Sequence, residues 1–156
     1  MSEKRRLLLE QLNIVIAHLL DVYHSIPDAN IPVYDLWTAK DILAHLTFWH
    51  ESFARNVHDL AHNTPPTPLK GKLGDLNQMG VDSMRSASLA AIIQRLENAH
   101  TTIQQHILKP AIVSIPYRKG SRDYTPEEHL EVVIKHINKH LHDVVKVCRR
   151  QPAAKI

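Results

Sequence analysis

Three histidines at two places in the sequence are the side chains best suited to chemistry. His136 and His140 are four residues apart in a segment with helical periodicity, so their rings lie on one side of that helix. His50 occupies an apolar position of an earlier helical segment and is expected to face the interior. Neutral imidazoles bind divalent metals, and three of them leave coordination positions open, as catalytic sites do. The pattern therefore predicts a metal site formed by His50, His136 and His140.

The same histidines can also be interpreted as structural side chains. The chain has 12 His among 156 residues, so pairs at four-residue spacing arise readily by chance, as His58 and His62 show. A histidine on an apolar face is usually satisfied by a hydrogen bond to a nearby polar group. The sequence has no HExxH motif, no Ser–His–Asp order and no glycine-rich phosphate loop. The residues alone leave both interpretations open.

Four amphipathic helices are predicted to position these histidines. Apolar residues recur at steps of three and four in four segments, at about residues 3–26, 38–62, 88–108 and 126–148. Thr125, Pro126 and Glu128 form a capping-box start for the last of them. The segment 63–75 is rich in Pro and Gly, and a short helix is predicted to follow from Leu76 to about Met84. Burial of the apolar stripes gives an all-α four-helix bundle, and the long connection between helices 2 and 3 lets helix 3 start at either end of it.

Length and composition bound the class of protein. A chain of 156 residues can bury one core, so we expect a single domain over residues 1–156. The net charge of +3 is mild, and basic residues cluster at helix ends, where we expect them to be solvated. No apolar run is long enough to cross a bilayer or to form a signal peptide, and one cysteine cannot form an internal disulfide. We therefore expect a cytoplasmic protein without nucleic-acid or membrane partners.

Two segments of the chain resemble a known superfamily. WTAKDILAHLTFWHESF resembles the second helix of DinB-like proteins, especially their ClbS/DfsB-type branch, and IPYRKGSRDYTPEEHLEVVIKHINKHL resembles that branch's last loop and fourth helix. The resemblance implies an all-α four-helix bundle with a long crossover connection between helices 2 and 3, and often a homodimer. It also implies a divalent metal held by one histidine of the second helix and a pair in the fourth, here matched by His50, His136 and His140. His45 is an alternative to His50, because some members place their ligand near that position.

The resemblance also implies a class of function. Relatives suggest a small metal-dependent enzyme, a hydrolase or a transferase, acting on an electrophilic small molecule. Imidazole-only ligation favours zinc or nickel over magnesium or calcium. His45, Trp49 and His100 are predicted to line the ligand pocket, while no residue is indicated as a catalytic acid or base. The alternative is a non-catalytic ClbS/DfsB-like bundle that binds a small molecule or is purely structural, and whose histidines hold no metal.

Overall fold

Five α-helices form the secondary structure of residues 2–150, the part of the chain that the computed structural model describes. They are α1 (Glu3–Ser25), α2 (Ala39–Ala61), α3 (Leu73–Asp82), α4 (Leu89–His106) and α5 (Pro126–Arg150). The four long helices agree with the predicted segments to within two residues at each end, and α3 is the predicted short helix. The all-α four-helix-bundle prediction is confirmed. The ends of the predicted domain, residues 1 and 151–156, lie outside the described residues. Within that described part, no helix has the length and apolar character of a membrane span.

Capping side chains fix where the two site-bearing helices begin. At α2, Asp41 N–H donates to Thr38 Oγ1 and Thr38 N–H donates to an Asp41 carboxylate oxygen. At α5, Glu128 N–H donates to Thr125 Oγ1 over 3.1 Å, and Thr125 N–H donates to Glu128 Oε1 over 3.0 Å. Each capping box provides acceptors for two backbone N–H groups that would otherwise be unpaired at the start of the helix. These caps set the register in which the histidines of α2 and α5 reach the interior.

Helix α2 is the centre of the bundle. It packs most extensively against α4, and it also contacts α3 and α5, while α1 packs mainly against α5. As a result its middle is buried on almost every face rather than along one stripe; its buried residues are Ala39, Ile42, Leu43, Ala44, His45, Leu46, Thr47, Trp49, His50, Ser52, Phe53, Ala54, Asn56, Val57 and Ala61. Side chains on opposite sides of α2 therefore reach different neighbouring helices.

The connection between α2 and α4 carries α3, which packs closely on α2. Gly80 allows this approach, because a Cβ at that position would lie 2.5 Å from Phe48 Cγ. On the same helix, Asn77 Oδ1 accepts a 2.7 Å hydrogen bond from Trp49 Nε1–H of α2. The crossover segment thus contacts two neighbouring aromatic side chains of α2, Phe48 through a close backbone approach and Trp49 through a hydrogen bond.

Replacing Gly80 with alanine is expected to destabilise the protein by about 1–3 kcal/mol, because the added methyl group forces Phe48 or the backbone to move. Gly74 is a matched control on the same helix, since nothing lies within 4 Å of a Cβ built there. Gly74→Ala should be neutral or slightly stabilising, as alanine favours helices. Urea unfolding of both variants measures the difference. Equal stabilities would contradict the close packing of α3 on α2.

Arg5 is a buried cation that the sequence interpretation assigned to a solvated helix end. Only 7% of Arg5 is exposed. Its Nε–H donates to Glu127 Oε1 over 2.9 Å, and Nη1 donates to the carbonyl oxygens of Ile107 and Lys109 at 3.3 and 3.2 Å. The expectation was wrong for this residue because the ends of three helices meet there, and unpaired carbonyls at the end of α4 attract a donor. Arg5 thereby joins α1, α4 and the start of α5.

Candidate metal centre

Three imidazole rings meet where α2 faces α5. The Nε2 atom of His136 lies 3.1 Å from Nε2 of His45 and 3.0 Å from Nε2 of His140. One nitrogen from each ring falls within 4.8 Å of the other two. His45 and His140 are buried, and His136 is half-buried. The structure therefore brings together the two predicted α5 histidines and one histidine of α2.

The α2 histidine in this cluster is His45 and not His50, which is a correction to the predicted grouping. The two are five residues apart, so they point about 140° apart around the helix. His50 faces α4, where its Nε2 lies 3.1 Å from Nδ1 of His100. The predicted position of His50 in the core is right, but a helix buried on most faces has more than one inward direction. His45, the alternative suggested by the resemblance, is the residue that faces the α5 pair.

The Nε2 atom of His50 is also occupied by a hydrogen bond to His100. Asn13 Oδ1 lies 2.8 Å from His100 Nε2, and it also accepts from Gln104 Nε2 over 2.9 Å. A carbonyl oxygen only accepts, so His100 Nε2 carries the proton and its Nδ1 holds a lone pair. His50 Nε2–H then donates to that lone pair. A protonated, hydrogen-bonded Nε2 is unsuited to bind a metal.

A tyrosine and a carboxylate fix the tautomer of His140. The Tyr34 hydroxyl donates to Asp143 Oδ2 over 2.6 Å and lies 2.8 Å from His140 Nδ1. The hydroxyl has a single proton, and it is used in the hydrogen bond to the carboxylate. The Tyr34 oxygen must therefore accept a hydrogen bond from His140 Nδ1–H. His140 Nε2 is therefore unprotonated, and its lone pair faces His136. Metal-binding histidines commonly use their second ring nitrogen in this way.

Burial keeps the cluster neutral at physiological pH. Desolvation, followed by the neighbouring His136 and His140, lowers the pKa of His45 to about 3. Desolvation, then His136 and Lys139, lowers the pKa of His140 to about 4, although Asp143 opposes the shift. Desolvation and then Lys139 lower the pKa of His136. Metal ligands must be unprotonated, and these three rings meet that requirement near pH 7.

The spacing and type of the donors fit a divalent metal. With metal–nitrogen bonds near 2.1 Å, neighbouring ligand atoms lie about 3.0 Å apart in octahedral geometry and about 3.4 Å apart in tetrahedral geometry. The observed separations of 3.0 and 3.1 Å suit ligation with little movement. The fit is incomplete in one respect: the buried Nδ1 of His45 has no hydrogen-bond partner within residues 2–150. His140 is thus the best-supported ligand of the three.

A small cavity borders the cluster on the side of His136. Its volume is about 20 Å³, enough for one water molecule. Trp49, which was predicted to line the pocket, forms its wall together with Tyr117, and the two rings stack with 5.2 Å between their centroids. His100 was also predicted to line the pocket, but it lies beyond His50 and is not part of this wall. The remaining lining residues are Leu46, His50, His129, Val132, Val133, His136 and Ile137.

His129 is a site residue that the sequence interpretation missed. It is 3% exposed, stacks on Phe53 and lines the cavity. It lies seven residues before His136, two helical turns away on the same face, and that spacing was a usable signal. Its buried Nδ1 has no partner within the described residues. A water molecule in the cavity would satisfy such an atom.

Comparison with known proteins identifies the family. Residues 11–109, more than half of the chain, match the model of the mycothiol maleylpyruvate isomerase N-terminal domain. The chain belongs to this family. Because that family is part of the DinB-like superfamily, the superfamily prediction is confirmed, whereas the ClbS/DfsB branch stays a prediction. The match to the isomerase N-terminal domain includes His45 but ends before α5, so the α5 pair lies outside it.

Two solved structures share the fold of this isomerase-domain chain. A mycothiol-dependent maleylpyruvate isomerase is 12% identical, with a TM-score of 0.70 over 92% of this chain. A histidine-to-alanine mutant of a mycothiol-dependent maleylpyruvate isomerase is 11% identical with the same TM-score and coverage. The match covers 63% of each solved chain, so the present chain spans less than two thirds of their length. No curated protein matches its sequence. At this identity the comparison shows the fold.

Proposed function

We propose that the protein is a metal-dependent enzyme that uses a low-molecular-weight thiol to attack an electrophilic small molecule. The observation that carries this proposal is the convergence of the Nε2 atoms of His45, His136 and His140. Zinc and nickel suit three imidazoles better than magnesium or calcium does. The proposal narrows the predicted choice between hydrolase and transferase to thiol transfer or thiol-dependent isomerisation.

The comparisons support a thiol as the second reactant. The two solved relatives are described as mycothiol-dependent, and the family is named for the same thiol. Both relatives are longer than this chain, so their activity comes to it as a proposal. A homodimer, a cytoplasmic location and the absence of nucleic-acid partners also remain predictions.

Each polar residue at the centre has a role in the proposed chemistry. The divalent metal, when bound, supplies a Lewis acid that stabilises a thiolate at neutral pH. The Tyr34 hydroxyl donates a hydrogen bond to Asp143, and its oxygen accepts a hydrogen bond from His140 Nδ1–H, so this chain of hydrogen bonds holds His140 in one tautomer and orientation. The half-buried Trp37 ring packs beside His45, with 4.9 Å between the ring centroids.

One observation favours the second candidate, a non-catalytic ClbS/DfsB-like bundle. The cavity beside His136 has a volume of about 20 Å³, far below the roughly 300 Å³ of a typical small-molecule pocket. This cavity would have to widen to admit a substrate, for example by separation of the stacked Trp49 and Tyr117 rings. In the non-catalytic case the three rings would be structural and would bind no metal.

The two candidates differ in metal-dependent turnover. Zinc-loaded protein should convert maleylpyruvate in the presence of mycothiol, which an isomerisation regenerates and a transfer consumes, and the His45→Ala variant should lose this activity. Glutathione in place of mycothiol serves as the matched thiol control. If protein with one zinc at the buried centre converts maleylpyruvate with neither thiol, the thiol-dependent function is wrong, even though the metal site would stand.

Replacing Tyr34 with phenylalanine is expected to weaken zinc binding at this centre by about 10- to 100-fold, as loss of a ligand's hydrogen-bond partner does. The aromatic ring is kept, so only the hydroxyl bridge between His140 and Asp143 is removed. Asp143→Asn tests the other end of the bridge and should give a loss of the same direction. Competition against a chromophoric chelator measures both affinities. Wild-type affinity in Tyr34→Phe would show that the bridge does not support His140.

A further inference from the structure

A second histidine cluster lies at the surface where α2 and α4 end. His58 and His62 come from the last turn and the C-cap of α2, and His106 is the last residue of α4. The ring centroids of His58 and His62 are 4.2 Å apart, and those of His62 and His106 are 5.1 Å apart. One nitrogen from each of the three rings lies within 4.8 Å of the others. We propose that these three residues bind a second divalent metal ion.

This surface cluster is separate from the buried centre. His58 follows His45 by thirteen residues on the same helix, which places it about 20 Å away along the axis. The two sites share no residue. His106, the third member of the cluster, comes from α4. Chance four-residue spacing of His58 and His62 along α2 therefore does not explain why the three rings lie together.

Hydrogen bonding prepares His62 as a ligand. Its Nδ1 lies 2.7 Å from the carbonyl oxygen of His58. A carbonyl only accepts, so Nδ1 carries the proton and Nε2 keeps its lone pair. This is the arrangement that fixes the tautomer of metal-binding histidines. The rings of His58 and His62 are exposed and can rotate to close the remaining distance to a shared ion.

The electrostatic environment favours a cation overall. The carboxyl-terminal ends of α2 and α4 both lie here, and each carries partial negative charge. The Asp59 carboxylate lies 3.8 Å from His58 Nδ1. Lys109 opposes binding, since its ammonium group is bonded to the Ala61 carbonyl oxygen at the same helix end. That hydrogen bond also occupies one of the carbonyl groups at the end of α2, so the attraction for a metal ion comes mainly from Asp59 and the remaining carbonyls.

The donor set indicates the class of ion. Three imidazoles select zinc, nickel or copper over magnesium and calcium. The ligands leave at least one coordination position open at the surface. Ordering two exposed side chains costs rotamer entropy, so this cluster should bind more weakly than the buried one.

Zinc titration of untagged protein by calorimetry tests the proposal. Wild type should bind two zinc ions per chain, and His62→Ala and His106→Ala should each bind one. His18→Ala, which removes an exposed histidine of α1, should still bind two. A His62→Ala variant with unchanged stoichiometry, and with native helix content by circular dichroism, would overturn the surface site.

The same titration separates this site from the buried centre. His140→Ala should retain the zinc that His62→Ala loses, and the double variant should bind none. If wild type binds one zinc that is lost in His62→Ala but kept in His140→Ala, the surface site stands and the buried centre is wrong. If the one zinc is lost only in His140→Ala, the surface site is wrong.

Discussion

Replacing His45 with alanine is expected to lower the affinity of the buried centre for zinc by about two to three orders of magnitude. Structural zinc sites with four ligands have binding free energies of roughly 10–16 kcal/mol, or about 2.5–4 kcal/mol for each ligand. Every 1.4 kcal/mol is about a tenfold change in affinity. The measurement is a chelator competition in a His62→Ala background, so that only the buried centre binds zinc.

His50→Ala is the decisive control for this prediction. The structure gives His50 Nε2 to His100, so its loss should leave zinc affinity within about threefold once native helix content is verified. His142→Ala, at an exposed position two residues from His140, should also bind as wild type does. A loss in His50→Ala equal to that in His45→Ala would restore the grouping that the sequence predicted and contradict the one found here.

Acidification from pH 7 to pH 5 is expected to remove at least about 4–6 kcal/mol of stability from the metal-free protein, through three buried histidines outside the metal centre. Burial is the main cause that lowers the pKa of His50 to about 3 and the pKa values of His100 and His129 to about 4. In the unfolded chain these groups titrate near 6.5. Below that pH the unfolded state binds protons that the folded state does not bind, so the free energy of unfolding falls as the pH drops toward 4.

The number of protons involved gives this prediction a quantitative test. Between pH 6 and 5 these three histidines should change the free energy of unfolding by about 3–4 kcal/mol per pH unit, which corresponds to roughly three protons, and the neutral His45 and His140 should add up to about two more. His129→Leu should reduce the slope by about one proton, whereas His142→Ala, at an exposed position, should not. Urea unfolding at a series of pH values provides the slope. A change below about 1 kcal/mol per unit would show that these histidines are not buried in neutral form.

The helices were predictable from the sequence because their signals are local. Capping residues, apolar periodicity and the Pro- and Gly-rich segment each act within a few residues of the element they define. The α5 pair was also predictable, since four-residue spacing on a helix places His136 and His140 together whatever the rest of the fold does. Asp143, three residues after His140, carried the same kind of local signal.

The choice between His45 and His50 was not accessible to the same reasoning. A single apolar stripe implies one inward direction, but α2 is surrounded by α3, α4 and α5 and has several. Which buried histidine meets α5 depends on the order of helices around α2, and periodicity does not contain that information. Tyr34 lies outside the helices, so no spacing rule connects it to a residue 106 positions later. The contact of His45 with α5 and the contact of Tyr34 with His140 both depend on tertiary packing.

The central claim is that His45, His136 and His140 hold one divalent ion together. Anomalous diffraction at the zinc absorption edge, from crystals grown with zinc, tests it most directly. We expect an anomalous peak at about 2.0–2.1 Å from the Nε2 atom of each of the three residues. A peak bonded to His50, or strong zinc density elsewhere with none between these three rings, would contradict it.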